Sequence, residues 1–394
     1  MKVQAWLERA AQRRPDHPAI NGLTYAELLD RARRAGGALT PGERVPIALP
    51  PGEDFAVLLH ACLLRGAVAV PSAEGLTEVP DGPPLAGPLE HDLAAPAIVV
   101  RTSGTTSEPK EVVLTYGNWL WSALGSAAAL GHPPDERWLS ALPLTHVGGL
   151  SILLRSVIAG TTVVLHERWS TEAVLRALDD ATIVSLVPTT LRRLLDAGLR
   201  EPAALRWALL GGAPIPPDLL ARAHEAGVAV APTYGLTEAC SQVTTNGYPL
   251  FCTRVELAGD GEILVSGPTV AGGGALHTGD LGAWQPDGSL AIVGRKADTI
   301  ITGGENVAPA QVEAALEEHP AVHEAAALGR PDPEWGEAVV ALVVLRPGAT
   351  ATPEELRTHA AARLERHAVP KQIALRDEPL PRTPSGKLLR RALR

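Results

Sequence analysis

The sequence predicts an α/β protein: a large N-terminal unit of layered, mostly parallel sheets over residues 1–295, then a small α+β unit over 296–394. Two features of the pattern predict this. Short apolar runs alternate with helix-like segments for most of the length, as expected of parallel strands joined by crossover helices. Past about residue 245 the texture changes to strands with tight turns and only two helix-like stretches. Composition agrees: 394 residues at 45% hydrophobic and 20% charged suffice for a large core and two or three structural units.

The elements follow in order. TYAELLDRARRAGGAL has helical periodicity, and Thr24 with Glu27 three residues later makes a capping box. VPIALP reads as a strand and DFAVLLHACLLRGA as a buried helix. The Pro/Gly-rich stretch 71–90 reads as a surface loop. APAIVV reads as a buried strand feeding RTSGTTSEPKEV (101–112). RWLSALP, TTVVLH, TIVSLVP and WALLGG read as strands, with TEAVLRALDDA and PDLLARAHEAG as helices among them. EILVSG, GSLAIVGR, DTIIT, VHEAAALGR and AVVALVVL read as later strands, with PAQVEAALEEHP and PEELRTHAAARLERH as helices. The junction falls at GRKAD, 294–298.

Several classes are excluded. No run of about 18 apolar residues is present, so no membrane span is expected. MKVQAWLERAAQRRPD lacks the apolar core of a signal peptide. Cys62, Cys240 and Cys252 form no ligand-spaced cluster and cannot all pair, so a reduced cytoplasm is expected. A net charge of −9 without a basic block argues against nucleic acid as a partner. Only five of the 35 basic residues are lysines, and two of them, Lys110 and Lys387, sit in Gly/Ser/Thr/Pro loops, where a compact ammonium has a use that arginine does not share.

In such folds ligands gather at the loops outside the carboxyl ends of strands. The first such loop offers the hydroxyls of Thr102, Ser103, Thr105, Thr106 and Ser107, close approach at Gly104 and the charge of Lys110. It suits a triphosphate tail, or is simply a polar turn. It is not a Walker loop: Pro109 replaces the second glycine, and Glu111 follows the lysine where Ser or Thr belongs. YGLTE supplies Tyr234 to stack on a base, Gly235 for flexibility and Glu238 for Mg²⁺; it also reads as a strand-to-helix turn capped by Thr237. Asp280 in HTGD, ahead of a strand–turn–strand unit, can accept from two ribose hydroxyls. Arg295 can reach ribose or phosphate, and Gly303–Gly304 allows close backbone approach or forms a hairpin turn. Lys387, after Pro384, Ser385 and Gly386, is either a reaching cation or part of a basic tail.

TSGTTSEPK, YGLTE, TGD, GRKAD with GGEN, and PSGK occur in this order along essentially the whole chain. On these motifs the chain resembles the adenylate-forming superfamily of acyl-CoA synthetases, peptide-synthetase adenylation domains and luciferases. The resemblance implies two half-reactions on a carboxylic acid, ATP and CoA, with Mg²⁺. It implies that the hydroxyl loop with Lys110 holds the β,γ-phosphates, and that Glu238 and Thr105 serve the metal. It puts Thr237 near the α-phosphate and Lys387 on the α-phosphate and carboxylate. It pairs Asp280 with Arg295 at the ribose, and lines the adenine pocket with Gly211, Gly212, Ala213, Tyr234 and Gly235. The small unit is then a mobile lid. It swings about 294–298, withdraws Lys387 and brings Gly303–Gly304 beside the thiol. The resemblance leaves room for a homodimer.

LPLTHVGGLSILLRSVIAGTTVVL, SLVPTTLRRLL and YGLTEACSQV most resemble the branch whose acid is o-succinylbenzoate, a dicarboxylate with an aromatic keto core. Its unreacting carboxylate calls for a counter-charge. Arg193 is the candidate, with Arg192 as the fallback. Thr189, Ser241 and Gln242 are expected to add hydrogen bonds, and His146 to gate the acyl tunnel. Another aryl- or fatty-acyl–CoA ligase, a stand-alone carboxylate adenylation enzyme and a non-catalytic nucleotide-binding homologue remain as alternatives. Three departures stand out. Ser107 replaces a glycine usual in the phosphate loop, Ala297 sits where many relatives carry Asp or Lys at the hinge, and the chain is short for the family.

Overall fold

Local capping chemistry sets where several helices begin. In the computed structural model, which describes residues 1–102, 110–382 and 388–393, Thr24 accepts from the Glu27 N–H while Glu27 reaches back to the Thr24 N–H. Thr115 with Asn118 and Thr352 with Glu355 repeat this reciprocal arrangement, which satisfies backbone donors that a helix start leaves open. The helices of the first unit are α1 (Trp6–Arg13), α2 (Tyr25–Gly37), α3 (Glu53–Arg65), α4 (Tyr116–Leu130), α5 (Val147–Ala159), α6 (Thr171–Ala177), α7 (Pro188–Asp196) and α8 (Pro217–Glu225). Those of the second are α9 (Pro309–Glu317) and α10 (Pro353–Ala361).

Among the described residues, three larger sheets and a two-stranded one, Lys2–Gln4 with Glu90–Asp92, build the first unit. The largest has nine strands, with a parallel centre running Val230–Leu236, Trp207–Leu210, Ile183–Leu186, Arg137–Ser140, Thr162–Leu165 and Pro18–Ile20. Four of these are apolar runs read as strands; Pro18–Ile20 and Val230–Leu236 are not among the runs so read. A second sheet orders Arg44–Ile47, Val68–Pro71, Pro96–Thr102 and Lys110–Thr115. Its last pair is antiparallel, so the hydroxyl loop joins two neighbouring strands and its ends meet at Thr102 opposite Lys110. The third sheet, Arg254–Leu257, Glu262–Ser266, Ala275–Trp284 and Leu290–Arg295, is antiparallel throughout.

The core lies between these layers. α3 is buried from Phe55 to Leu64, as its unbroken apolar run requires. Tyr25 and Tyr116 are buried through their rings, and both hydroxyls are satisfied: Tyr25 donates to the Thr161 carbonyl at 2.6 Å and Tyr116 to that of Leu63 at 2.9 Å. The second unit has its own core under the long hairpin Val322–Asp332 and Gly336–Leu345, against α9 and α10.

Three expectations are corrected. YGLTE does not lead into a helix: Thr237–Ala239 forms a single 3₁₀ turn, the chain reverses, and Ser241–Thr245 pairs antiparallel with the strand it left. The cap position there is Leu236, and Thr237 makes no side-chain cap. HTGD is not ahead of a strand but inside one, Ala275–Trp284, because Thr278 ties to the Ile263 carbonyl at 2.8 Å across the sheet. Nor does the change of texture near residue 245 mark the second unit: the strands Arg254–Arg295 form a separate sheet before the junction.

Candidate active site

The bend that ends the central strand Val230–Leu236 carries most of the chemistry. Gly235 permits it: a Cβ there would stand 1.7 Å from the Ser241 carbonyl oxygen, at a point where the ladder shifts register. Cys240 then takes φ 53° and Ser241 φ 92°, a left-handed reversal that non-glycine residues seldom adopt. Gly235→Ala is expected to cost about 2–3 kcal/mol of stability, read as a lowered melting temperature, with the turn's function lost alongside.

Tyr234, Asp280 and Arg295 form one cluster. The Tyr234 hydroxyl donates to Asp280 Oδ2 at 2.7 Å, and Arg295 Nε pairs with Asp280 Oδ1 at 2.8 Å. Asp280 stands opposite Arg295 in the antiparallel register, so the third sheet positions this pair by itself. Asp280 is buried, and its backbone N–H is held by Thr278 Oγ1 at 3.1 Å. Burial first, then the Asp280 charge, pushes the Tyr234 phenol well above its ordinary value. Tyr234 therefore remains a donor at neutral pH.

The Lys110 ammonium lies 3.5 Å from Glu238 Oε1, joining the base of the hydroxyl loop to the bend. Lys110 is 66% exposed and Glu238 24%, so the lysine is the partner free to turn toward an incoming anion. Gly211 lies flush against the central strand, since a Cβ there would meet the Thr233 carbonyl at 2.7 Å. Gly212 follows at φ 81° and Ala213 is half-buried. Thr102 donates to the Lys110 carbonyl at 3.2 Å. Ser103, Gly104, Thr105, Thr106 and Lys387 lie outside the described residues.

The expected acyl-pocket residues fare unevenly. His146 stands exposed at the cap position of α5. Thr189 is half-buried in the first turn of α7 and Ser241 half-buried past the bend. Gln242 is buried, with its amide donating to Thr245 Oγ1 at 2.8 Å and its carbonyl oxygen unpartnered. Arg193 is corrected as a deep counter-charge. α7 buries Pro188, Leu191 and Leu194, which turns Arg193 out to solvent. Arg192 is half-buried, and its charge acts on Glu317 of α9.

Gly303 and Gly304, at φ 60° and 85°, form the two-residue tip of a hairpin between Ile300–Thr302 and Glu305–Val307. Among the described residues, no hydrogen bond joins this tip or Arg193 to the Asp280 cluster. Sequence reasoning missed the clamp at the junction. Lys296 Nζ reaches Asp260 at 2.5 Å and Glu262 at 3.0 Å, and Glu262 accepts from the Gly279 N–H at 3.1 Å. The two carboxylates push the Lys296 ammonium up, Asp260 most. The only signal was the scarcity of lysine, which Lys296 shares with Lys110.

Comparison with known proteins supplies the frame for this geometry. Residues 7–82 and 81–273 match the family model described as AMP-binding enzyme, and residues 311–387 match the AMP-binding enzyme C-terminal domain. A 2-succinylbenzoate–CoA ligase of Bacillus cereus is 35% identical over 472 aligned positions, covering 99% of this chain and 97% of that one. With 394 residues here, that relative carries segments this chain lacks. The o-succinylbenzoate CoA synthetase (MenE) of Bacillus subtilis has been solved with its acyl-adenylate intermediate, OSB-AMP. It superposes with a TM-score of 0.89 at 32% identity, covering 100% of this chain and 98% of that one. The same enzyme with ATP and magnesium gives 0.90 at 33%, covering both chains in full. Among the described residues, no helix is long and apolar enough to cross a membrane.

Proposed function

The chain belongs to the AMP-binding enzyme family, and on that premise we propose that it joins 2-succinylbenzoate to CoA, driven by cleavage of ATP to AMP and pyrophosphate. It is an AMP-forming acid–thiol ligase. The acid's carboxylate attacks the α-phosphorus of ATP and pyrophosphate leaves. The CoA thiol then attacks the acyl carbon of the adenylate, and AMP leaves. The observation that carries this reading is the full-length likeness to relatives named for this reaction.

Each residue takes a role its surroundings support. A carboxylate offers about four lone-pair sites, and Tyr234 and Arg295 use one on each oxygen of Asp280. Fixed in this way, the carboxylate is placed to accept from two ribose hydroxyls. Arg295 holds the carboxylate in place, and Tyr234 presents its ring to the base. Gly211, Gly212 and Ala213 line the adenine. Lys110 gives up Glu238 for phosphate oxygens. Glu238, one half-buried carboxylate, would hold a magnesium ion, a metal that keeps waters and draws its other ligands from phosphates; bound there, it would supply positive charge against the departing pyrophosphate. Thr237, on the 3₁₀ turn beside Glu238, donates toward the α-phosphate. Thr189 and Ser241 offer donors to the second carboxylate, and His146 guards the entrance. Lys387 brings a cation to the α-phosphate. The Gly303–Gly304 tip presents bare backbone to the CoA arm once residues 296–394 turn about the junction.

The test is release of AMP and pyrophosphate with 2-succinylbenzoate, benzoate, a fatty acid or an amino acid, with and without CoA. 2-Succinylbenzoate alone should support turnover. Lys387→Ala should slow adenylate formation by about 100-fold or more, as losing a transition-state cation does, while thioester formation from supplied adenylate persists. Turnover with a different acid would keep the chemistry and replace the acid. Unchanged adenylation in Lys387→Ala would remove the role given to that lysine.

A further inference from the structure

A cavity of about 410 Å³ opens between α1, α4 and α5 at the amino end of the strand Arg137–Ser140. The active-site bend lies at the opposite, carboxyl ends of the strands. Arg155 of α5 stands in its floor, 5% exposed. Among the described residues no carboxylate lies within ion-pair distance of it. One nitrogen donates to Ser122 Oγ at 3.1 Å, and its Nε is buried without a partner. The hydroxyls of Ser126 and Ser156, also in the lining, are buried and unpartnered as well. Burial lowers the Arg155 guanidinium to about 10, so it stays charged at neutral pH. A buried cation without a counter-ion is costly unless an anion joins it. Glu136 also lines the cavity, but Arg206 takes its charge.

The rest of the lining selects among anions. Leu130, Trp138 and Ile158 make the walls apolar, and Arg9 and Arg13 stand exposed at the mouth. The volume lies within the range of small-molecule sites. We propose that this cavity binds a small organic monocarboxylate with an apolar body, its carboxylate on Arg155 and its body against Trp138 and Ile158. One buried guanidinium matches one negative charge, and the apolar walls would leave most of a phosphate's oxygens without donors.

The site reaches the catalytic bend through one side chain. Ser122, held by Arg155, donates to the Cys240 carbonyl at 2.7 Å, where the chain reverses after Glu238. An occupant that engages Arg155 therefore acts on the turn carrying Glu238. This link rests on the ligase reading; the binding itself does not.

The experiment titrates the full chain with 8-bromooctanoate, without ATP, and follows bromine quenching of tryptophan fluorescence. Saturable quenching is expected, weakened at least tenfold in Arg155→Met and in Ala127→Phe, which fills the space from α4. Saturating AMP and 2-succinylbenzoate should leave it unchanged, and 8-bromooctanol should not reproduce it. Equal binding of the alcohol, competition by 2-succinylbenzoate, or full binding in both variants would overturn the site. Ala127→Phe guards against a variant that fails only because Arg155→Met misfolds. A shift of twofold or more in the KM for ATP at saturating probe, absent in Arg155→Met, supports the link to the bend. An unmoved KM with binding intact removes that link alone.

Discussion

Asp280→Ala should raise the KM for ATP by about 10- to 150-fold while the protein still folds. The estimate takes the net loss as that of one hydrogen bond to a charged group, about 1.5–3 kcal/mol, because water compensates part of the second. In the substituted protein the Tyr234 hydroxyl and Arg295 lose their common acceptor, and the ribose loses its carboxylate. Arg295 is 52% exposed, so water can replace its partner, and the stability cost, about 1–3 kcal/mol, falls on the Tyr234 hydroxyl. Asp280→Asn is the sharper variant. Its amide keeps the shape but turns a donor toward either Arg295 or Tyr234, so a comparable loss is expected. Steady-state kinetics in ATP, with thermal melts of each variant, check both statements. Normal ATP kinetics in Asp280→Asn would show that the carboxylate's charge does not hold the nucleotide.

The second large effect is on stability in acid. His60 of α3 and His91 of the strand Glu90–Asp92 are each 2% exposed. His91 Nε2 accepts from the Trp6 N–H at 3.2 Å, and its ring stacks on Tyr116 at 4.5 Å. Burial pushes His60 down to about 4; burial, then the neighbouring His60, pushes His91 down to about 3. Both are neutral in the folded protein at pH 7, where the unfolded chain is also largely neutral. Below about 6.5 the unfolded histidines take up protons and the folded ones do not, so stability is lost as pH falls. Each contributes up to about 1.4 kcal/mol per pH unit, and together they remove about 4 kcal/mol between pH 6.5 and 4.5. That is comparable with the whole stability of many domains. Urea unfolding at pH 7.5, 6 and 5 measures the slope. His91→Gln, which keeps an acceptor for Trp6, and His60→Leu should each flatten it; a slope unchanged in both would place acid sensitivity elsewhere.

Legibility in the sequence followed the range of the forces. The Thr24–Glu27 cap is written in four residues. The parallel strands are written in apolar runs too short for helices. Tyr234, Asp280 and Arg295 were legible as motifs, though their mutual contacts are a product of strand register. The course of the chain after YGLTE was not legible. SQVTT has the polarity of a loop, and its pairing depends on the missing Cβ at Gly235 and on a strand already in place. HTGD misled because Thr, Gly and Asp form turns when nothing else binds them. Arg193 was misplaced for a reason the sequence did contain: with a helix starting at Pro188, the phase set by Leu191 and Leu194 turns it outward. Arg155 had no signal, since a cation inside an apolar helix reads like one at its edge.

Lys296 stands past the last strand of the large unit, yet Asp260 and Glu262 bind it to that unit. A turning of the smaller unit that leaves these pairs intact must pass through Ala297, Asp298 and Thr299, before the strand Ile300–Thr302 begins. Three residues extend at most about 11 Å. Such a joint would be a short leash: it would keep the start of a turning smaller unit within about 11 Å of the clamp. The volume to be searched for a second working placement is thereby made small.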